Sequence, residues 1–493
     1  MSGSLAGEGP TGTAIRGGVR WGVTSQALTQ VLSLVATVVL ARLLDPDDFG
    51  VVALAQSIVG VVSVLAAFGF GTSIVRRPSL TREDVDGALW AAALVGSVLT
   101  LLTLAIASVG GALLSDDRAR GATLALAPLL LVNTIASVPA GLLQRRMHFK
   151  WLYGAQLTGA AVYVAIQLVL AWAGMGLWAV IIGLLVSAVA TLLLTAAGAR
   201  LSVHRASPWL WFRREGRFAA GLLGVQGVTT LNKNADYWIV GFALGADALG
   251  RYYMAFVLPS IIRLRLSWVL GTVLLPVFTR VEVDSEELRV AYQRSTALQL
   301  GAGAALLVGI AVVSEPLLTV GLGERWAPAW SAMSVISLAM LVELLGTAPQ
   351  RLAIAKARLG PVLTSEAVGL GVLLVAAAGL LAWRQQLVMV AWAVLASRSV
   401  VLFCSLAWVA RPFGVGLRLI RRELLATVVS AAVMATAAGS ILMTLQRNEA
   451  SPWLQLSAAV PAGALTYVAT LRLLFRPTYR QLRADLILIV SGR

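Results

Sequence analysis

Residues 28–71 read "LTQVLSLVATVVLARLLDPDDFGVVALAQSIVGVVSVLAAFGFG". Two apolar runs flank one acidic turn, and each is about 20 residues long, the length at which a helix crosses the hydrocarbon core of a bilayer. Neither run carries the continuous polar face that a helix of a soluble protein turns to water. Apart from Arg42, the charges are gathered in "LDPDD". There Pro46 suits the first turn of a helix, and Asp47 and Asp48 favour its positive end. The stretch reads as span, tight outer turn, span.

Runs of this kind recur along all 493 residues, of which 58% are hydrophobic and 13% charged, with a mean hydropathy of +0.84. Soluble domains carry nearly twice that share of charge. Lipid offers the backbone no hydrogen bonds, so long apolar segments of this sort cross it as helices. The fold class is therefore an all-α polytopic membrane protein with about 14 transmembrane helices. We expect a leader at 1–15, a six-helix bundle at 16–202, an amphipathic cytoplasmic linker at 203–218, a second six-helix bundle at 219–410, and two extra helices with a basic tail at 411–493. The leader, "MSGSLAGEGPTGTA", is small and polar; no small-residue cleavage pattern follows it, so the first span reads as retained.

A net charge of +16 and a pI near 11.1 would fit a nucleic-acid partner. The distribution excludes it: the basic residues sit in short segments such as "RRPSLTR", "QRRMHFK", "RREGR" and "RLIRRE" between spans. That is the cytoplasmic bias of a membrane protein, and it places both termini inside. Cys404 is the single cysteine and His148 and His204 the two histidines. No disulfide, zinc site or histidine triad is expected from so few, and no cofactor. There is no G-x-x-x-x-G-K-[ST] sequence to cradle a nucleotide. The longest outer loop, "SEPLLTVGLGERWAP", holds only Glu315 and Glu324, too little for an outer catalytic domain. An enzyme such as a polysaccharide polymerase is the less favoured reading.

Sliding the chain on itself lays Gln26 and Thr29 on Gln226 and Thr229. It also matches Leu44, Asp47, Gly50 and Ala55 with Leu244, Asp247, Gly250 and Ala255. Span, outer turn and span thus occur twice, as in transporters whose two halves rock about a central site. "LARLLDPDDFGVVALAQSIVGVVSVLAAFGFGTSIVRR" (40–77), "NADYWIVGFALGADALGRYYMAFVLP" (234–259) and "GERWAPAW" (323–330) resemble the Wzx-type flippases for O-antigen, capsule and exopolysaccharide. These belong to the multidrug/oligosaccharidyl-lipid/polysaccharide exporter superfamily. The resemblance implies two pseudo-symmetric six-helix lobes around a central cavity, with two C-terminal helices. It also implies a bacterial inner-membrane flippase for undecaprenyl-diphosphate-linked oligosaccharide, with membrane lipid, a polymerase and assembly proteins as its company. A lipid II flippase or a multidrug exporter of the same superfamily is the alternative.

The candidate site follows from polar residues at membrane depth. A charge there costs roughly 2.5–3.5 kcal/mol on insertion scales, so it faces protein or a wet cavity. Gln226, Thr229, Thr230, Lys233 and Asp236 fall at helical spacing and form one stripe beside Asn232. Lys233 and Asp236 either neutralise each other as a packing pair, or present a lysine to an anionic substrate with the aspartate coupling an ion. Gln26, Gln30, Ser33 and Thr37 make an uncharged stripe in the first span, which suits either cavity lining or close packing. Arg263 and Arg265, two apart after Pro259, cannot share a helix face unless the proline distorts it. One of them would contact a diphosphate, which the planar guanidinium fork suits. Glu343 is a proton carrier or the partner of an arginine, Glu366 lies near the inner end of its span, and Arg398 is expected to stand apart in a structural role. The set Lys233, Arg263, Arg265 and Arg398 outnumbers Asp236, Glu343 and Glu366, which fits anionic cargo.

Overall fold

The computed structural model describes the backbone of residues 12–66, 69–77, 79–109, 116–280, 285–356 and 358–491. Side chains are described within these ranges except at 12–20, 23, 66, 210, 217–226, 268–280 and 485–491. All regular structure among the described residues is helical, and twelve of the helical segments are long and apolar enough to cross a membrane. The predicted spans 219–243 and 249–278 both fall in one further helical run, Pro208–Arg280. The chain divides into two compact units, Met1–Asn234 and Ala235–Arg493.

The first unit contains α1 (Gly12–Leu43), α2 (Pro46–Ala66), α3 (Phe70–Arg76), α4 (Arg82–Val109), α5 (Asp117–Leu126), α6 (Pro128–Arg145), α7 (Phe149–Trp172) and α8 (Leu177–Gly198). The opening part of α9 (Pro208–Arg280) completes it. Local chemistry sets the helix starts. Pro46, Asp47 and Asp48 open α2 as the sequence suggests, and Arg118 of α5 pairs with both aspartates. Asp116 caps α5 by accepting from the Arg118 backbone N–H at 2.8 Å. Before α4, Thr81 and Asp84 cap reciprocally: the Asp84 N–H donates to Thr81 Oγ1 at 3.2 Å, and the Thr81 N–H donates to Asp84 Oδ2 at 3.1 Å. Inside the spans, hydroxyls satisfy themselves on their own helix, as Thr103 does on the Leu99 carbonyl at 2.9 Å. Such a hydroxyl adds little cost to insertion.

Helices α3 and α6 approach through backbone. A Cβ placed on Gly71 would lie 2.7 Å from the Ser137 carbonyl oxygen, and one on Gly141 would lie 2.7 Å from the Gly71 Cα. Only glycine allows that spacing.

The predicted linker, residues 203–218, contains an irregular segment and then the first turns of α9. Trp209 is exposed, in keeping with a place at headgroup level. Trp211 departs from that expectation. It is buried against Phe70, with ring centroids 4.4 Å apart, and its Nε1–H donates to Ser73 Oγ at 3.2 Å. A charge network lies beside it. Buried Glu215 accepts from Arg76 Nη2 at 2.8 Å and from Arg77 Nε at 3.0 Å. Asp84 pairs with Arg77 and, at 2.7 Å, with Arg214. Burial opposes the Arg77 charge, but the hydrogen bonds and charges of Asp84 and Glu215 more than offset it and hold its pKa above the ordinary value.

The second unit contains the rest of α9, α10 (Glu286–Gly321), a 3-10 turn at Glu324–Ala329, α11 (Trp330–Ala355), α12 (Leu359–Trp383) and α13 (Leu387–Cys404). A π-helical turn (Ser405–Ala410), α14 (Arg421–Arg447), α15 (Pro452–Leu474) and α16 (Arg476–Ser491) follow. The outer turn expected at "LGADALG" is a bend inside α9. Gly245 breaks the helical path there with φ 86° and ψ 177°, left-handed in φ and so easiest for glycine. Asp247, the repeat partner of Asp47, forms an i,i+4 pair with Arg251 at 3.2 Å. Helix α11 packs against α10 and α13, α13 also packs against α12, and the pair α14 and α15 packs on α10. An apolar cavity of about 410 Å³ lies among α9, α10, α14 and α15, lined by Leu258, Ile262, Gly309, Met434 and Gly463.

Arg77 is mostly buried and Glu215 almost wholly so, whereas Arg76 is largely exposed and adds little through screened water. Removing the carboxylate leaves Arg77 short of a partner. Glu215→Ala is expected to cost about 3–5 kcal/mol, read as a lowered thermal unfolding midpoint of the detergent-solubilised protein.

Candidate functional site

Four helices of the second unit bring ionisable groups to one place. From α9 come Asp236 and Arg263, from α11 Glu343, from α12 Glu366 and from α13 Arg398. Arg263 Nη1 stands 3.3 Å from Glu343 Oε1. The other oxygen of the same carboxylate, Oε2, is 3.7 Å from Arg398 Nε. Arg398 Nη1 in turn lies 3.9 Å from Glu366 Oε2. Gln350, two turns beyond Glu343 on α11, donates from Nε2 to Glu366 Oε1 at 3.1 Å. Asp236 accepts from the Tyr252 hydroxyl at 2.9 Å and also feels the Arg398 charge. The result is a chain of alternating charge, Arg263–Glu343–Arg398–Glu366, with Asp236 beside its inner cation.

Helix geometry accounts for these positions. Glu343, Thr347 and Gln350 lie on one face of α11. Ser397 next to Arg398 donates to the Gly369 carbonyl at 2.7 Å and so holds α13 against α12 at the level of the cluster. One turn past Arg263, the Ser267 carbonyl accepts from Arg351 Nη2 at 2.9 Å, a second tie between α9 and α11. Burial grades along the chain of charges. The Arg398 side chain is 8% exposed and that of Glu366 7%, whereas Arg263 is 16% and Glu343 21% exposed. The Arg263–Glu343 end is the accessible one.

The predicted residues therefore divide. Arg263, Glu343 and Asp236 meet in the cluster. Arg398, expected to stand apart, is its hub, and Glu366 belongs to it rather than to the membrane interface alone. Arg265 is half-buried on α9. Within the first unit, Asn232 is buried, Lys233 exposed and Thr230 half-buried, with the Thr230 carbonyl accepting from Asn234 Nδ2 at 2.8 Å. Asp236 is buried. On α1, Gln26 is exposed and Gln30 half-buried, and Thr37 donates to the Ser33 carbonyl at 2.8 Å. Gln226 lies outside the described side chains. The contacts described in the cluster join the guanidiniums of Arg263 and Arg398 with the carboxylates of Glu343 and Glu366, and Asp236 lies in the field of Arg398. Among the described residues, no group of three His, Cys, Asp or Glu side chains is arranged to hold a metal ion.

A buried ion pair broken on one side costs far more than an exposed one. Arg398→Ala takes away the cation that Glu343 and Glu366 share, so the thermal midpoint is expected to fall steeply, by about 3–5 kcal/mol of stability. Adding Glu366→Gln should recover part of that loss; an unchanged midpoint in Arg398→Ala would show that the hub bears no charge load.

A family model described as "Polysaccharide biosynthesis protein" matches residues 39–331, more than half of the chain. The succinoglycan biosynthesis transport protein ExoT of Rhizobium meliloti is 27% identical over 330 residues, covering 65% of each chain. The present chain thus spans slightly under two thirds of that relative. The lipopolysaccharide biosynthesis protein WzxC of Escherichia coli is 25% identical over 69% of this chain and 70% of its own. The teichuronic acid biosynthesis protein TuaB of Bacillus subtilis is 22% identical over 92% of this chain and 94% of its own. Among solved structures, the lipid II flippase MurJ in an inward closed conformation superposes with a TM-score of 0.77 at 12% identity, covering 93% of this chain and 99% of that one. An inward-facing multidrug resistance MATE family transporter gives 0.62 at 14% identity, covering 78% and 94%. At these identities the two structures speak for the fold alone.

Proposed function

We propose that this chain, which belongs to the polysaccharide biosynthesis protein family, moves an undecaprenyl-diphosphate-linked oligosaccharide from the inner to the outer leaflet of the bacterial inner membrane. The carrying observation is Arg263: a half-buried guanidinium within the predicted span 249–278, at the accessible end of a charge chain. A diphosphate head needs cations with directed donors, and an arginine fork supplies them. Lys233 and Arg265, with Asn232, Thr230, Gln26 and Gln30, complete the proposed headgroup and sugar contacts. An isoprenyl tail needs an apolar berth, and the cavity among α9, α10, α14 and α15 suits one. Asp236 and Glu343 are the proposed ion-coupling groups for alternating access of the two halves.

The relatives named for succinoglycan, lipopolysaccharide and teichuronic acid support a polysaccharide cargo over a drug or a peptidoglycan precursor. The chain is a transporter rather than an enzyme. A polymerase would need an outer catalytic segment, and the connection after α10 is one short 3-10 turn at Glu324–Ala329. Both termini are proposed to be cytoplasmic, with membrane lipid, a polymerase and assembly proteins as partners.

Deleting the gene should cause the lipid-linked repeat unit to accumulate on the cytoplasmic side. A polymerase defect would instead still expose single units outside. Lys233→Ala and Arg263→Ala are each expected to abolish export at unchanged membrane abundance; wild-type polysaccharide in both would remove these side chains from the site. In a Cys404→Ser background, Gln30→Cys and Thr230→Cys should react with a membrane-impermeant maleimide. Full protection of both would mean that they pack rather than line a wet passage.

A further inference from the structure

The cluster holds a guanidinium whose position is already taken by an internal anion. Glu343 Oε1 lies 3.3 Å from Arg263 Nη1, where an incoming phosphate oxygen would compete for the same donor. We infer that Glu343 and the diphosphate headgroup exclude one another at Arg263, and that the displaced carboxylate takes up a proton while Arg398 keeps it in place. The inference rests on the flippase reading and adds to it a linkage between cargo and protons.

The sharing of cations carries the argument. Glu343 meets Arg263 of α9 and Arg398 of α13; beyond Arg398 stand Glu366 of α12 and Asp236 of α9, which accepts from Tyr252, and the next cations along α9 and α11 are Arg265 and Arg351. Helix α10 carries no ionisable side chain between Arg294 and Glu315. Glu343 stands between two cations, Arg263 and Arg398, and shares the second with Glu366. A headgroup that draws Arg263 away removes one of these cations and brings excess phosphate charge beside Glu343, in surroundings that screen charge poorly. Taking a proton from water onto Glu343 relieves that excess. The same step removes the negative charge that would repel the phosphates.

Geometry decides which contact yields. Arg398 is the deeper cation and is held by Glu343 and Glu366 together. Arg263 is the more accessible of the two, with a side chain 16% exposed against 8% for Arg398. Exchange at Arg263 therefore keeps the Arg398 anchor intact. Because linkage is reciprocal, a proton on Glu343 must tighten headgroup binding by the same factor by which the headgroup favours the proton. Binding then strengthens as pH falls through the titration of Glu343.

The test is calorimetry with farnesyl diphosphate on the full chain in nanodiscs, in two buffers of different ionisation enthalpy. Glu343→Gln serves as the reference that subtracts the titration of the ligand itself. Wild type should take up more protons on binding than Glu343→Gln, and Glu343→Gln should bind about tenfold more tightly with a flatter pH profile. Glu343→Asp, which keeps a carboxyl group, should retain the extra uptake even if the glutamine variant fails to fold. Equal affinity and equal uptake in wild type and Glu343→Gln would overturn the inference and leave the flippase reading standing. A wild type that supports export yet shows no affinity for the diphosphate would also overturn it. If wild type neither binds the diphosphate nor supports export, the flippase reading falls with it.

Discussion

A charge taken out of water is costly unless another meets it, and the way α9, α11, α12 and α13 come together follows from that demand. Arg398 is almost wholly buried, which is tolerable only because α11 and α12 each deliver a carboxylate to it. The helices are thereby fixed in rotation as well as in position. A turn of α11 that withdrew Glu343 would take from Arg263 and Arg398 the carboxylate they share. Apolar packing alone is permissive in lipid, where one leucine face substitutes readily for another. The charged contacts are selective, and they specify which faces of α9, α11, α12 and α13 meet.

The first unit answers the same demand differently. Among its described residues, the buried carboxylates of Glu215 and Asp84, in the first turns of α9 and α4, meet Arg76 and Arg77 at the end of α3 and Arg214. Within its spans, polarity is mostly small and self-satisfied, as at Thr37 and Thr103.

The helical membrane fold was legible because bilayer thickness imposes one length on every span, and hydropathy reports length. Asp47 and Pro46 announced the start of α2 through rules that act within a single turn. Arg263, Glu343 and Asp236 were legible as candidates because charge in an apolar run is rare. Their partnership was not. It depends on α11 and α13 lying side by side, and no local pattern in "ELLGTAPQ" or "ASRSV" encodes a neighbour. Arg398 therefore read as isolated. Glu215 was hidden for another reason: in "RREGR" the basic residues gave the orientation signal and the one acid drew no notice. Trp211 and Trp209 look alike in sequence, and only the packing of Phe70 separates the buried one from the exposed one.

The π-helical turn at Ser405–Ala410 sits directly after α13. A wider turn stores one residue more than an α-helical turn, so it can lose that residue by tightening. A single-residue deletion within 405–410 can thus be absorbed on the spot. The same deletion a few positions earlier, between Leu387 and Ser397, would rotate the start of the helix about 100° against Arg398 and the Ser397–Gly369 bond, so the two parts of α13 could not both keep their packing. The protein carries slack in its chain length immediately downstream of the residue that can least tolerate a slip.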